Sequence, residues 1–258
     1  MMAEGESQVP ESARPTIIVD HELERMAEEA TLALSLRGDV YQRGGKLVQI
    51  VEDIAGLIRE AGAPMIEPIP LPTLHLILSS VADWRMWKKI DKELKLVPTT
   101  PPDKVVKGVF ERKRFPPCIR ELEAVIETPM IVADGRLIQT PGYDDQSGLL
   151  YLQPKDLQGY TVPEFPTEAE VLAARDLILD LVCDFYFRSE AHRSAWIAGV
   201  LTYFARFAIP SQAPFFLVDA NTRGTGKGFL VKLVGIITPL DVLKFFLDKV
   251  LPPPPEVG

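Results

Sequence analysis

Ala213-Pro214-Phe215-Phe216-Leu217-Val218-Asp219 runs directly into Ala220-Asn221-Thr222-Arg223-Gly224-Thr225-Gly226-Lys227-Gly228 and then into the apolar, periodic stretch Phe229–Ile237. The first segment reads as a short buried strand, the second as a glycine-rich loop, the third as a helix. That order is the context in which a glycine-rich motif becomes a phosphate site. Glycines allow successive backbone N–H groups to turn inward around phosphate oxygens, and the helix N-terminus adds its positive dipole. Lys227 is expected to neutralise β/γ-phosphate charge, and Asn221, Thr222, Arg223, Gly224, Thr225, Gly226, Lys227 and Gly228 form the expected nucleotide-binding set, with ATP as the ligand.

Two positions depart from the usual G-x-x-x-x-G-K-[ST] pattern. Asn221 stands at the first glycine, a mild change because asparagine tolerates left-handed φ. Gly228 stands where a hydroxyl residue normally binds Mg²⁺, so magnesium loses a ligand unless Thr222 or Thr225 supplies one. The plainer reading of the same residues is a glycine-rich turn feeding a helix. Hydrolysis further requires an acidic residue on another strand. The thirty residues after Gly228 hold Pro239, an expected amphipathic helix Leu240–Leu251 and an extended Pro252–Pro255, with no acidic strand. The expectation is therefore a truncated opening of a P-loop fold over 213–258. It would bind nucleotide without hydrolysing ATP alone, and no catalytic residue or metal site is assigned.

Working back from the loop, the punctuation predicts four further parts. Residues 1–15 are polar and aperiodic, a disordered tail. Residues 16–155 form an α+β module. Its expected elements are a strand Thr16–Val19, a helix capped by Asp20, a hairpin turning at Arg43-Gly44-Gly45 and a helix Glu52–Ala61. There follow an extended connector Ala63–Pro72, a helix through Leu74–Val81, one or two strands over Trp84–Val97 and a helix from Asp103 to Arg112 burying Val105, Val106, Val109 and Phe110. Short strands Leu122–Ile126, Met130–Val132, Arg136–Thr140 and Leu149–Leu152 close the module, with a turn-rich loop at Pro141–Gly148. Residues 156–166 are a linker, and 167–212 a helical pair, Thr167–Phe187 and Glu190–Phe207. The fold class expected is an α+β N-terminal module followed by a helical segment and an incomplete α/β P-loop unit.

The 258 residues are 47% hydrophobic and 25% charged, a globular balance. Cys118 and Cys183 are too few for a disulfide framework and read as buried hydrophobes. The start has no signal-like segment and no apolar run reaches membrane-spanning length, so a cytoplasmic location away from any membrane is expected. Net charge is −8, yet Trp84–Arg120 holds eleven bases against four acids, a net of +7 that leaves −15 on the rest. Arg85, Lys88, Lys89, Lys104, Lys107, Arg112, Lys113 and Arg114, interleaved with Trp84, Trp87, Phe110 and Phe115, form a candidate nucleic-acid surface. The alternative is a solvated face with core aromatics. Asp144-Asp145 reads as a turn, and His21, His75 and His192 lack ligand spacing.

Taken together, several stretches resemble the primase–helicase replication proteins of bacteriophages, prophages and plasmids. They are Asp39–Val48 (DVYQRGGKLV), Pro141-Gly142-Tyr143-Asp144 with Ser147-Gly148-Leu149 and Tyr151, Ala191–Trp196 (AHRSAW), and Phe216–Asn221 with Arg223–Gly228. The resemblance covers about residues 16–235 and implies a role in replicating a mobile element. It implies ATP binding, single-stranded DNA as partner, and a homo-oligomer or a separate chain completing the ATPase. Gly228 after the lysine matches that group's own variant. No acidic constellation supports primer synthesis. The competing reading is a non-catalytic nucleic-acid or protein interaction module that retains a vestigial loop.

Overall fold

A computed structural model of the protein describes residues 14–53, 62–220, 222 and 224–238. The readings of most of the N-terminal tail, the body of the helix expected over Glu52–Ala61, the helix Leu240–Leu251 and the segment Pro252–Pro255 lie outside the described residues, as do Asn221 and Arg223. The fold is mixed α/β, with helices set among small sheets. The chain divides into two compact units: the first holds the residues up to Glu52 and Pro64–Val125, the second Asp53–Ala63 and everything from Ile126 onward. Residues 126–155 thus group with the second unit.

In the first unit, β1 (Thr16–Val19) leads into α1 (Leu23–Ser35). Asp20 does not occupy the cap position itself: its Oδ1 accepts from the Glu22 N–H (2.8 Å), and Glu22 precedes the helix. Arg25 ties the entry down by donating to Asp20 Oδ2, the Ile18 carbonyl and Glu29 Oε1, each at 2.7 Å. β2 (Val40–Arg43) and β3 (Lys46–Glu52) form the expected hairpin, with Gly44 and Gly45 at φ 55° and 74°. Positive φ at both central residues matches the turn to the right-handed twist of the strands.

The connector expected over Ala63–Pro72 is in part a strand. β4 (Pro64–Pro68) pairs antiparallel with β3, and α2 (Leu71–Val81) begins soon after. The sheet order β2-β3-β4 leaves β4 at an edge. Proline is tolerated there because its missing N–H can lie on the unpaired side. The pattern of Leu74, Ile77, Leu78 and Val81, all buried, places one face of α2 in the core.

β5 (Asp83–Ile90) then returns parallel to β1, with Ile17 opposite Trp84, and β6 (Glu93–Pro98) folds back on it antiparallel. Trp84 is buried and donates from Nε1 to the Leu78 carbonyl at 2.8 Å, locking β5 to the end of α2. α3 (Asp103–Phe110) buries Val105, Val106 and Val109, each contributing about 1.5–3 kcal/mol relative to exposure. Phe110, expected to be buried with them, is 41% exposed: the apolar stripe of this short helix is filled by the three valines. Cys118 is exposed as well, as is Cys183, so neither is the core residue expected.

β7 (Ala124–Ile126) closes this stretch. In the second unit β8 (Met130–Ile131) pairs with β9 (Leu137–Ile138) across a turn at Gly135 (φ 85°), and β10 (Gly142–Asp144) pairs with β11 (Leu149–Tyr151). β10 lies inside the expected loop Pro141–Gly148. Its end is organised by Asp144, whose Oδ2 accepts from the Ser147 N–H (2.8 Å) and hydroxyl (2.6 Å) while Oδ1 accepts from Arg136 at 3.0 Å.

α4 (Glu168–Asp180) starts with a capping box: Thr167 Oγ1 accepts from Glu170 N, and the Glu170 carboxylate accepts from Thr167 N at 2.7 Å. It stops before the expected Phe187 because Val182, Cys183 and Phe185 each bond back three residues, tightening the chain into turns. α5 (Glu190–Phe204) ends three residues early in a 3₁₀ turn at Arg206–Ala208, and α6 (Lys227–Ile237) follows the glycine-rich loop. Val182, Trp196, Val200 and Leu230 make the core between these helices. No helix among the described residues is long and apolar enough to cross a membrane.

Candidate phosphate loop and basic surface

The helix after the loop begins two residues earlier than expected, and Lys227 is its first residue. Gly226 precedes it in the left-handed region (φ 79°, ψ 11°), and Gly224 also has φ 80°. No side chain caps the helix, although the Gly226 carbonyl accepts the first intrahelical bond, from Leu230 N at 3.0 Å. The first N–H groups of a helix have no partner within it, so α6 presents donors and a positive dipole toward the loop. Lys227 folds back across the loop, its Nζ donating to the Ala220 carbonyl at 3.1 Å. This places the ammonium beside the loop rather than out in solvent.

Two residues outside the motif set this geometry. The Phe185 ring lies over Gly226 so closely that a Cβ there would sit 2.9 Å from Cε1, and Phe185 also stacks on Phe229 (centroids 6.1 Å apart, planes 12°). Trp196 is buried and donates from Nε1 to the Leu230 carbonyl at 3.2 Å, fastening α5 to α6. The Phe216 ring packs against α5 at Gly199, where a Cβ would meet it at an ordinary contact of 3.8 Å. The aromatic run Phe185-Tyr186-Phe187 was the signal available for the first.

The segment Ala213–Asp219 is not the buried strand expected. It has no strand hydrogen-bonded to it among the described residues, and Phe215 and Leu217 are 89% and 79% exposed. The alternation is nonetheless that of a strand: Phe216 meets α5 and Val218 packs against the helical core. Extended backbone becomes sheet only when a neighbour satisfies its N–H and C=O groups.

The loop offers magnesium few side-chain donors. Gly228 has no hydroxyl, the Thr225 hydroxyl points to the Thr222 carbonyl at 3.5 Å, and Asp219 Oδ1 accepts from the Ala220 N–H at 2.7 Å. Among the described residues no group of three or more His, Cys, Asp or Glu side chains could hold a metal.

The structure sorts the expected basic surface into two places in the first unit. Arg85, Lys88 and Lys89 lie on β5, whereas Lys104 and Lys107 are exposed on α3 and Arg112, Lys113 and Arg114 follow it. Of the four aromatics expected among them, Trp84 and Phe115 are core residues, and Trp87 and Phe110 are exposed. The end of α3 and the β2–β3 turn border a cleft of about 620 Å³ that includes Lys46, Phe110 and Lys113. Among other sequence candidates, Asp144 serves the turn described above, and the Arg136 guanidinium and Ser147 donors hold its carboxyl well below the usual carboxylate range. His192 Nδ1 pairs with Ser189 Oγ at 2.7 Å, and His75 Nε2 lies 3.7 Å from Asp103 Oδ1, both local interactions.

Compared with family models, curated proteins and solved structures, the chain shows no match.

Proposed function

We propose that this chain binds the phosphates of ATP or ADP at Asn221–Gly228, as part of a replicative helicase of the primase–helicase type. The observation that carries this reading is the return of Lys227 to the Ala220 carbonyl at 3.1 Å, over a loop whose Gly224 and Gly226 both have left-handed φ. An anionic tail would exchange that carbonyl for a phosphate oxygen, a stronger, charge-assisted partner for the ammonium. Gly226 and the amides of Gly228 and Phe229 would supply the cradle, and the helix dipole its positive end. With few side-chain donors for magnesium in the loop, binding rests on the lysine and the backbone.

The resemblance of AHRSAW and of the loop residues to primase–helicases supports the replication context. The outward apolar side of Ala213–Asp219, with Phe215 and Leu217 exposed, supports a partner, either a second copy or a separate chain, that covers it. Titration calorimetry with ADP and ATP, with and without magnesium, tests the reading. Uptake by the parent protein and its loss in a folded Lys227→Ala variant are expected. Equal uptake by both would exclude the loop as the binding site.

A further inference from the structure

The register of the β1-β5-β6 sheet leaves part of it projecting. β1 ends with Val19 opposite Met86, whereas β5 continues to Ile90 and stays paired with β6 down to Ile90 opposite Glu93. Trp87–Ile90 and Glu93–Leu96 therefore form a two-stranded ribbon running past the end of β1. It turns tightly at Asp91 and Lys92, both in the left-handed region (φ 51° and 71°). An isolated two-stranded hairpin is at best marginally stable in water, and this one leaves Trp87 55% and Leu94 70% exposed.

Strand alternation and the cross-strand pairs define its two faces. One carries Trp87 and Lys89 opposite Leu96 and Leu94, with Arg85 opposite Pro98 at the base of the ribbon and Asp83 two residues further in beside β1. The other sets Lys88 directly opposite Lys95, a like-charge pair that disfavours the hairpin and is offset in part by Glu93, 3.6 Å from Lys95. Lys88, Lys89, Lys92 and Lys95 thus crowd onto one ribbon, with Arg85 at its base, in a chain whose net charge is −8. Of the three tryptophans, Trp84 and Trp196 are buried and hydrogen-bonded, and Trp87 stands on the ribbon between two cations.

We infer that the β5–β6 ribbon is a binding arm for single-stranded nucleic acid. A base stacks on the Trp87 indole, and Arg85 and Lys89 neutralise the phosphates on either side. A duplex, whose bases are already stacked, offers the cations the same charge but gives the indole no ring face. This inference does not rest on the phosphate loop.

The test is fluorescence anisotropy of the whole protein with a labelled oligothymidylate of about 20 nucleotides at several salt concentrations. Trp87→Ala should weaken binding about tenfold and Trp87→Phe much less. Arg85→Ala with Lys89→Ala should flatten the dependence of log affinity on log salt by about 0.7 for each phosphate that is no longer neutralised. Lys227→Ala should bind like the parent, so a failure of nucleotide binding leaves the arm standing. Unchanged affinity in Trp87→Ala, an unchanged salt slope in the double variant, equally tight binding of a duplex of the same length, or equal displacement by polyglutamate would each overturn the proposal.

Discussion

Adjacent glycines in the β2–β3 turn offer a measurement in which the turn is its own control. Gly44 and Gly45 both have positive φ, 55° and 74°, but a Cβ on Gly44 would meet nothing within 4 Å, whereas one on Gly45 would lie 3.0 Å from the Lys113 carbonyl oxygen. Gly44→Ala should therefore incur only the left-handed conformational cost, about 1–2 kcal/mol, and Gly44→Asn less, because asparagine adopts that region more readily. Gly45→Ala incurs a similar conformational term plus the strain of displacing backbone that cannot swing aside, about 1–3 kcal/mol more. Urea unfolding followed by tryptophan fluorescence reads this difference, in a Trp196→Phe background where only Trp84 and Trp87 report, both in the first unit. If the two alanine variants differ by less than about 0.5 kcal/mol, the close approach of the hairpin to the chain after α3 plays no energetic part.

Trp196→Phe should itself destabilise the helical part of the second unit by about 1–3 kcal/mol. It removes the buried bond to the Leu230 carbonyl along with part of the packed ring; an unchanged urea midpoint by circular dichroism would contradict this. Asp144 has its carboxyl pKa lowered by Arg136 and Ser147, so its contribution to stability is present at neutral pH. That contribution disappears as pH falls from the usual carboxylate range through its depressed folded value. Asp144→Asn should melt below the parent at pH 7 and approach it as the pH drops below about 4; a gap that stays constant with pH would rule out the ion pair as its source.

Local chemistry was legible in the sequence wherever a few neighbouring residues settle the outcome. Gly44-Gly45 specified a hairpin turn and Thr167 with Glu170 a helix start, because each depends on φ or on one nearby hydrogen bond. Tertiary structure alone decided the rest. Ala213–Asp219 has a strand's alternation but no hydrogen-bonded neighbour strand among the described residues, and the Ala63–Pro72 connector became in part an edge strand because β3 lay beside it. Trp84 and Trp87, three residues apart in the same basic segment, fall on opposite faces of β5, and the packing of α2 against one face made Trp84 a core residue and left Trp87 exposed. Pairing and burial are relations between distant segments, and neither is encoded in the residues of one segment alone.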